Sequence, residues 1–263
     1  MREGSRGIWS GRVFVGMGRV LYVGGASDTS RHLHHAIQIC VALSGQVRLR
    51  PGPEARWRRH GGAIIGSNQI HQLDGSGCEV VLLYLEPETE EGRRLAVGDP
   101  DSPIQAISVA AVRAIRVATA GTRARDVSTE AAVHLCRDIL AQLGARLERH
   151  QALDDRIRRA ILSIRGDPTR PWKVADVAAA SGLSGRRFRD LFATQVGMSC
   201  RQYLLWNRLS SALGELARGA SLTEAALGAG FVDAAHLTRT FRRMVGIVPS
   251  AIAGSVRFME KLA

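Results

Sequence analysis

The chain has almost no lysine: Lys173 and Lys261 are its only two, so arginine supplies 34 of the 36 basic residues. Against 24 Asp plus Glu this gives a formal charge of +12. A globular protein this basic usually meets a polyanion, nucleic acid first and an anionic membrane surface second. Abundant alanine and glycine beside the arginine also fit a bias of coding composition, so charge alone leaves both readings open. Cysteine is scarce as well. Cys40, Cys78, Cys136 and Cys200 lie far apart with no CxxC pair, which argues against a zinc knuckle and a dense disulfide framework and fits a reducing compartment. No apolar run reaches the roughly 18 residues of a membrane span, and MREGSRGIWSGRVF lacks the apolar core of a signal peptide. A cytoplasmic protein with no membrane partner is expected.

With 263 residues, two ordinary domains are a better expectation than one large one. Residues 151–263 hold 17 basic and 9 acidic residues, a net of +8, and the first 150 residues carry the remaining +4. The first part reads as short strands between Gly and Pro punctuation: GRVFVGMGRVLYVGG, AIQICVALSGQVRLR, GGAIIGSNQIHQL and CEVVLLYLEP. Residues 87–103 are polar and Pro/Gly-rich. Helical periodicity follows, and in 128–150 a Ser/Thr cap and Glu130 precede Leu135, Ile139, Leu143 and Leu147 at spacing four. That stripe suits packing on the β-domain or a homodimer seam equally. The expected organisation is α+β: a β-domain at 1–103, a helical linker at 104–152 that is a candidate for dimerisation, and an all-α domain at 153–263.

The all-α part contains an internal repeat. KVADVAAASGLSGRRFRDLFATQVG, 173–197, maps onto SLTEAALGAGFVDAAHLTRTFRRMVG, 221–246, by a shift of 48 that becomes 49 after the turn. Each copy has the parts of a helix-turn-helix. Ala178 and Ala226 allow close helix crossing, a glycine ends the first helix, and Ser184 and Asp233 are N-caps for the second. Phe188, Leu191, Phe192 and Val196 share one face of the first such helix; Leu237, Phe241, Met244 and Val245 share one face of the other.

The remaining faces point outward. Arg186, Arg189 and Asp190 form one stripe, and Ala234, Ala235, Thr238, Arg239 and Arg242 the equivalent one. Arginine can bond guanine bidentately, while a small side chain or a Thr methyl can touch a thymine methyl. Arg187 and Arg243 flank the stripes as candidate phosphate contacts. A solvated charged face on an ordinary bundle is the bland alternative, but two copies in register weigh against it. Between them, 199–219 reads as one helix of roughly 28 Å, near the ~34 Å between successive major-groove segments on one face of a duplex. Double-stranded DNA is the expected partner.

Residues 153–252 resemble the DNA-binding domain of AraC/XylS-family transcription regulators. GLSGRRFRDLF is similar to the family's first recognition helix, and GAGFVDAAHLTRTFRRMVGIVPS to its signature, through Phe231, Asp233, His236, Phe241, Arg242, Gly246, Pro249 and Ser250. Asp190 stands where the family more often has a basic residue, and Ala234 and Ala235 replace longer polar ones. The family commonly adds an N-terminal cupin-like sensor, so the resemblance implies a cupin-like β-barrel. HLHHAIQICVALSG, 32–45, resembles the first cupin motif with Gln38 in the Glu position, and His71 would be the histidine of the second. In metal-binding cupins three His and a Glu hold a divalent ion. By that resemblance His32, His34, Gln38 and His71 are the candidate ligands, for zinc, nickel, copper or iron. Gln is neutral and a weaker ligand than Glu, so a metal-free pocket, a sensory metal and a metalloenzyme all remain open.

The resulting expectation is a sequence-specific DNA-binding regulator, by resemblance an activator, that is not an enzyme and answers a small-molecule or metal effector. A cupin metalloenzyme (oxygenase or isomerase) with a helical appendage is the alternative from another class. A DNA-architectural protein is a third.

Overall fold

A computed structural model describes residues 9–95, 102–121, 123, 126–144, 152–252 and 256–258. The first half is built on a seven-stranded sheet. Its strands are β1 (Ser10–Gly16), β2 (Arg19–Gly25), β3 (Ile37–Ala42), β6 (Gly62–Ile65), β8 (Glu79–Leu85), β9 (Ile104–Ala106) and β10 (Val256–Phe258), in the order β10-β1-β2-β8-β3-β6-β9. A second sheet holds β5 (Arg58–His60), β4 (Val47–Arg50) and β7 (Gln72–Asp74) in that order. Two separate sheets are a correction to the expected barrel. Among the described residues no hydrogen-bonded pairing joins β9 to β10, or either sheet to the other along a full strand, so no closed barrel forms. The short helix α1 (Glu90–Arg94), capped by Thr89, falls in the polar stretch 87–103.

The large sheet is apolar on both faces, which is why its central strands read as continuous hydrophobic runs. Side chains alternate along a strand, so Ile37, Ile39, Val41, Val81, Leu83 and Leu85 bury on one face. There they meet α2 (Val109–Ala118) and α3 (Thr129–Gln142) through Val112, Ile115, Leu135, Cys136, Ile139 and Leu143. The stripe of 128–150 is thus turned onto the sheet. Leu147 lies outside the described residues. β9, α2 and α3 join the core of the first domain.

The C-terminal half runs through α4 (Asp155–Gly166), α5 (Val174–Ala180), α6 (Gly185–Val196), α7 (Cys200–Ala217), α8 (Leu222–Gly228) and α9 (Ala234–Val245), then a 3-10 turn at Pro249–Ala251. β10 then pairs in parallel with β1, bringing the chain back to the first sheet. The two helix pairs differ in what they pack on. α5 and α6 share a core with α4 and the start of α7, through Ile157, Ile161, Phe188, Phe192, Tyr203 and Leu204. For α8 and α9, Phe231, Leu237 and Phe241 join Leu209 and Ala212 of α7 and the second face of the large sheet, Val13, Val15, Cys40 and Leu82, in one cluster.

Ile139 is fully buried in the layer between α3 and the sheet. Ile139→Ala is expected to lower stability by roughly 2 to 5 kcal/mol, the usual loss for a large-to-small change in a packed core. Denaturant unfolding checks the loss, and an unchanged hydrodynamic size of the folded variant would show that the stripe serves the monomer's core.

Candidate nucleic-acid interface and effector site

Both helix-turn-helix copies take the geometry that the repeat requires. Ser184 caps α6 by accepting from the Arg187 amide, and Asp233 caps α9 by accepting from His236 at 2.6 Å. Each helix ends on a left-handed glycine: Gly197 at φ 75° with its amide bonded to the Ala193 carbonyl, and Gly246 at φ 80° bonded to that of Arg242. On α6, Arg186, Arg187, Arg189 and Asp190 are all exposed. On α9, Ala235, Arg239, Arg242 and Arg243 are exposed, and Ala234 and Thr238 half-buried. Asp190 sits 3.9 Å from Arg186 on the same face, and with both side chains open to water this pair restrains the arginine only weakly. The connecting helix α7 has 18 residues, about 27 Å.

The opposite side of α9 faces a cavity of about 990 Å³, counting the open space at its mouth. Phe241 and Val245 line it from α9, Trp206, Leu209 and Leu213 from α7, and Val13, Val15, Tyr22, Leu82 and Tyr84 from the sheet. Its wall is mostly apolar. Two buried donors on that wall, Trp9 Nε1 and Arg19 Nε, have no hydrogen-bond partner among the described residues. The other end of the Arg19 guanidinium pairs with Glu91 at 3.0 Å.

Beside the cavity the structure brings His32, His34, His71 and Gln38 together. β3 starts only at Ile37, so His32 and His34 precede the strand, and His32 meets His71 through a single antiparallel bridge. The three can present one nitrogen each within 4.8 Å of one another. Every Nδ1 lies against a backbone carbonyl: Ser30 at 2.8 Å for His32, Ala36 at 2.7 Å for His34 and Gln69 at 2.9 Å for His71. A carbonyl only accepts, so each Nδ1 carries the proton and each Nε2 a lone pair. Burial holds all three imidazoles below the usual histidine range, His32 down to about 3. Mutual proximity adds to the lowering at His32 and His71. Gln38 Oε1 lies 3.0 Å from the Nε2 of both His34 and His71. Three acceptors cannot meet without a positive group among them. Turning the carboxamide, so that its NH2 donates to both rings, resolves the conflict; so does a cation.

A polar bridge links the halves near the first helix pair. Arg165 of α4 pairs with Glu86, lies 3.4 Å from Glu88, and donates to the Tyr203 hydroxyl at 3.0 Å. Trp206 Nε1 donates to Glu86 at 2.9 Å. Burial works to raise the Glu88 carboxyl, but His35 and Arg165 beside it more than offset this and hold it below its usual range. Two further polar contacts reach the ends of the recognition helices. Ser30 donates to the Gly246 carbonyl from its amide at 2.9 Å and its hydroxyl at 3.0 Å. Asn68 Nδ2 donates to the Gly197 carbonyl at 3.1 Å. None of these contacts was expected from the sequence. The one local signal was Asn68 in a Ser-Asn turn, where asparagine tolerates the left-handed backbone it adopts at φ 58°.

Residues 177–254 match a family model described as a helix-turn-helix domain. Over 80 residues the chain is 32% identical to the virulence regulon transcriptional activator VirF of Yersinia enterocolitica, covering 30% of each chain. It is 30% identical over 97 residues to an AraC-like protein of Streptomyces lividans, 36% of this chain and 32% of that one. The C-terminal domain holds a helix-turn-helix domain, similar in sequence to those of AraC-like regulators. The chain spans about a third of the length of these curated relatives, so the likeness belongs to the helix-turn-helix domain. The whole fold is similar to that of an apo ToxT variant from Vibrio cholerae strain SCE256, with a TM-score of 0.64 over 92% of this chain and 99% of that one, at 11% identity. VirF and the Streptomyces lividans protein are both named as transcription regulators.

Arg239 projects from the outward face of α9 in the helix-turn-helix domain. Arg239→Ala is expected to weaken the preferred duplex by about 5- to 150-fold and relax the preference at one base position, whereas Arg187→Ala weakens all duplexes alike. Binding titrations against single-base variants and random duplex decide it. Equal loss on preferred and random DNA for Arg239→Ala would remove the base-reading role.

Proposed function

We propose that the protein is a sequence-specific DNA-binding transcription regulator of the cytoplasm that answers a small amphipathic effector held between its two halves. The observation that carries this reading is that the recognition helix α9 is itself a wall of the cavity: Arg239 faces outward while Phe241 and Val245 of the same helix line the effector side. A ligand seated there touches the back of the helix that reads DNA. The lining suits an apolar body, and the two unpartnered donors, Trp9 Nε1 and Arg19 Nε, suit an acceptor head group such as a carboxylate. ToxT, similar in fold, has been solved with an unsaturated fatty acid bound. Activation is the direction favoured by the likeness to VirF, which is named as an activator.

The test uses the full chain and a duplex selected from a random-sequence pool. Preference over random duplex, with affinity falling steeply as salt rises, is the expected behaviour. A long-chain unsaturated acid should bind in the cavity and shift that affinity. It should bind about 10- to 100-fold more tightly than the corresponding alcohol, the range for a hydrogen bond to a charged group. Arg19→Ala should erase the difference between acid and alcohol. Equal affinity for all duplexes would favour the architectural alternative, and no binding of either lipid would remove the effector reading.

The convergent lone pairs of His32, His34 and His71 favour a second reading, in which the same domain holds a divalent zinc, nickel, copper or iron ion with Gln38 Oε1 as a fourth donor. The fit is good on one count, since Nδ1–H bonded to carbonyls is the arrangement that orients metal-binding imidazoles. It is weaker on another, because no carboxylate offsets the ion's charge. Elemental analysis of untagged protein is expected to find metal after incubation with one of these ions, less in His34→Ala and more in Gln38→Glu. Protein that stays metal-free with every ion would leave Gln38 as a bridge between two neutral imidazoles.

A further inference from the structure

The two helix-turn-helix copies are related by sequence repeat, and the N-terminal domain grips both at the same place. Gly197 and Gly246 are equivalent in the repeat: each ends its recognition helix in the left-handed conformation. The carbonyl of each accepts from the N-terminal domain, Gly197 from Asn68 Nδ2 and Gly246 from the amide and hydroxyl of Ser30. The last carbonyls of a helix have no partner within it and usually face water. We propose that Asn68 and the Ser30–His32 segment are positioning residues for DNA recognition, a two-point clasp by which the N-terminal domain sets the relation of one recognition helix to the other. This rests on the reading of the chain as a sequence-specific DNA-binding regulator.

Three observations carry it beyond two surface contacts. Asn68 is the one non-glycine residue with positive φ among the described residues, a backbone state favouring a defined role for the side chain it presents. The seat at Gly246 is tight: a Cβ there would lie 2.5 Å from His32 Nδ1 and 2.9 Å from the Ser30 carbonyl, so only glycine lets the segment approach. The two gripping segments are also one unit. His32 and His71 exchange amide-to-carbonyl bonds at 3.1 and 3.0 Å, and the Asn68 amide donates to the His34 carbonyl at 2.8 Å. A group seated among His32, His34 and His71 would therefore touch the unit that makes both points of the clasp.

Two readouts on the full chain test this. In the first, the preferred duplex is lengthened or shortened by one base pair between its two half-sites, which turns one site about 35° around the axis relative to the other. Wild-type protein is expected to lose about tenfold or more in affinity. In Asn68→Gly, which keeps the backbone conformation and removes the donor, that penalty should shrink to about threefold or less. An equal penalty in both proteins would overturn the proposal. The second readout needs no DNA. Amide hydrogen exchange of the last turn of α6 should be several-fold faster in Asn68→Gly, with α9 unchanged. Unchanged exchange at α6 would overturn the clasp, whereas a wild type with no sequence preference would overturn the regulator reading and leave the exchange result to decide this one.

Discussion

The structure depends on a sheet that is apolar on both faces and must therefore be covered twice. One face takes α2 and α3. The other is covered by the smaller sheet and by the second helix-turn-helix, through Phe231, Leu237 and Phe241. A fully buried Leu or Phe contributes about 1.5 to 3 kcal/mol, and these three residues lie in that cluster at 4% exposure or less. The second recognition helix is thus held to the N-terminal half by the same force that folds it. The return of β10 to pair beside β1 adds backbone hydrogen bonds at the edge of the same sheet.

The first helix-turn-helix is attached differently. Its own core is complete with α4 and the start of α7. Its links to the N-terminal domain include the Arg165–Glu86–Glu88 bridge, the Trp206 to Glu86 bond and the Asn68 to Gly197 bond. A typical hydrogen bond adds only about 0.5 to 1.5 kcal/mol net, and a buried ion pair roughly balances its own desolvation. Such contacts specify an orientation more than they stabilise it. The pair of recognition helices is accordingly asymmetric: one anchored by apolar area, the other by directional bonds that a modest change of spacing can break. Such an arrangement suits the proposed function, because a ligand shifts an equilibrium only by what it gains in one state over the other.

The repeat was legible because helix-turn-helix geometry is local. Ser184, Asp233, Gly197 and Gly246 act within their own turns, and the outward stripes follow from helical spacing alone. The histidine cluster was legible in membership. Its strand was not, since β3 begins five residues after His32, and the histidines converge through a cross-chain bridge that periodicity does not encode. The stripe of α3 was read correctly as apolar but could not say which surface it covers. The cavity, the Arg165 bridge and the clasp were invisible for a common reason. Each joins residues more than 70 positions apart, and a lone Arg, Asn or Ser carries no periodic mark of a distant partner.

The neutrality of the buried histidines connects these parts. In a basic chain, three imidazoles kept uncharged place no extra positive charge behind the recognition helix, and their lone pairs stay free to accept. His32 is both a member of this cluster and the wall against which Gly246 rests. The amide of Gln38, the histidine cluster and the end of α9 thus lie in one continuous line of contacts, with the apolar cavity along the flank of the same helix. Two chemically different inputs, a polar or ionic one at the histidines and an apolar one against Phe241, would reach α9 at its end and at its back, so that either alters how the helix sits without touching the face that reads DNA.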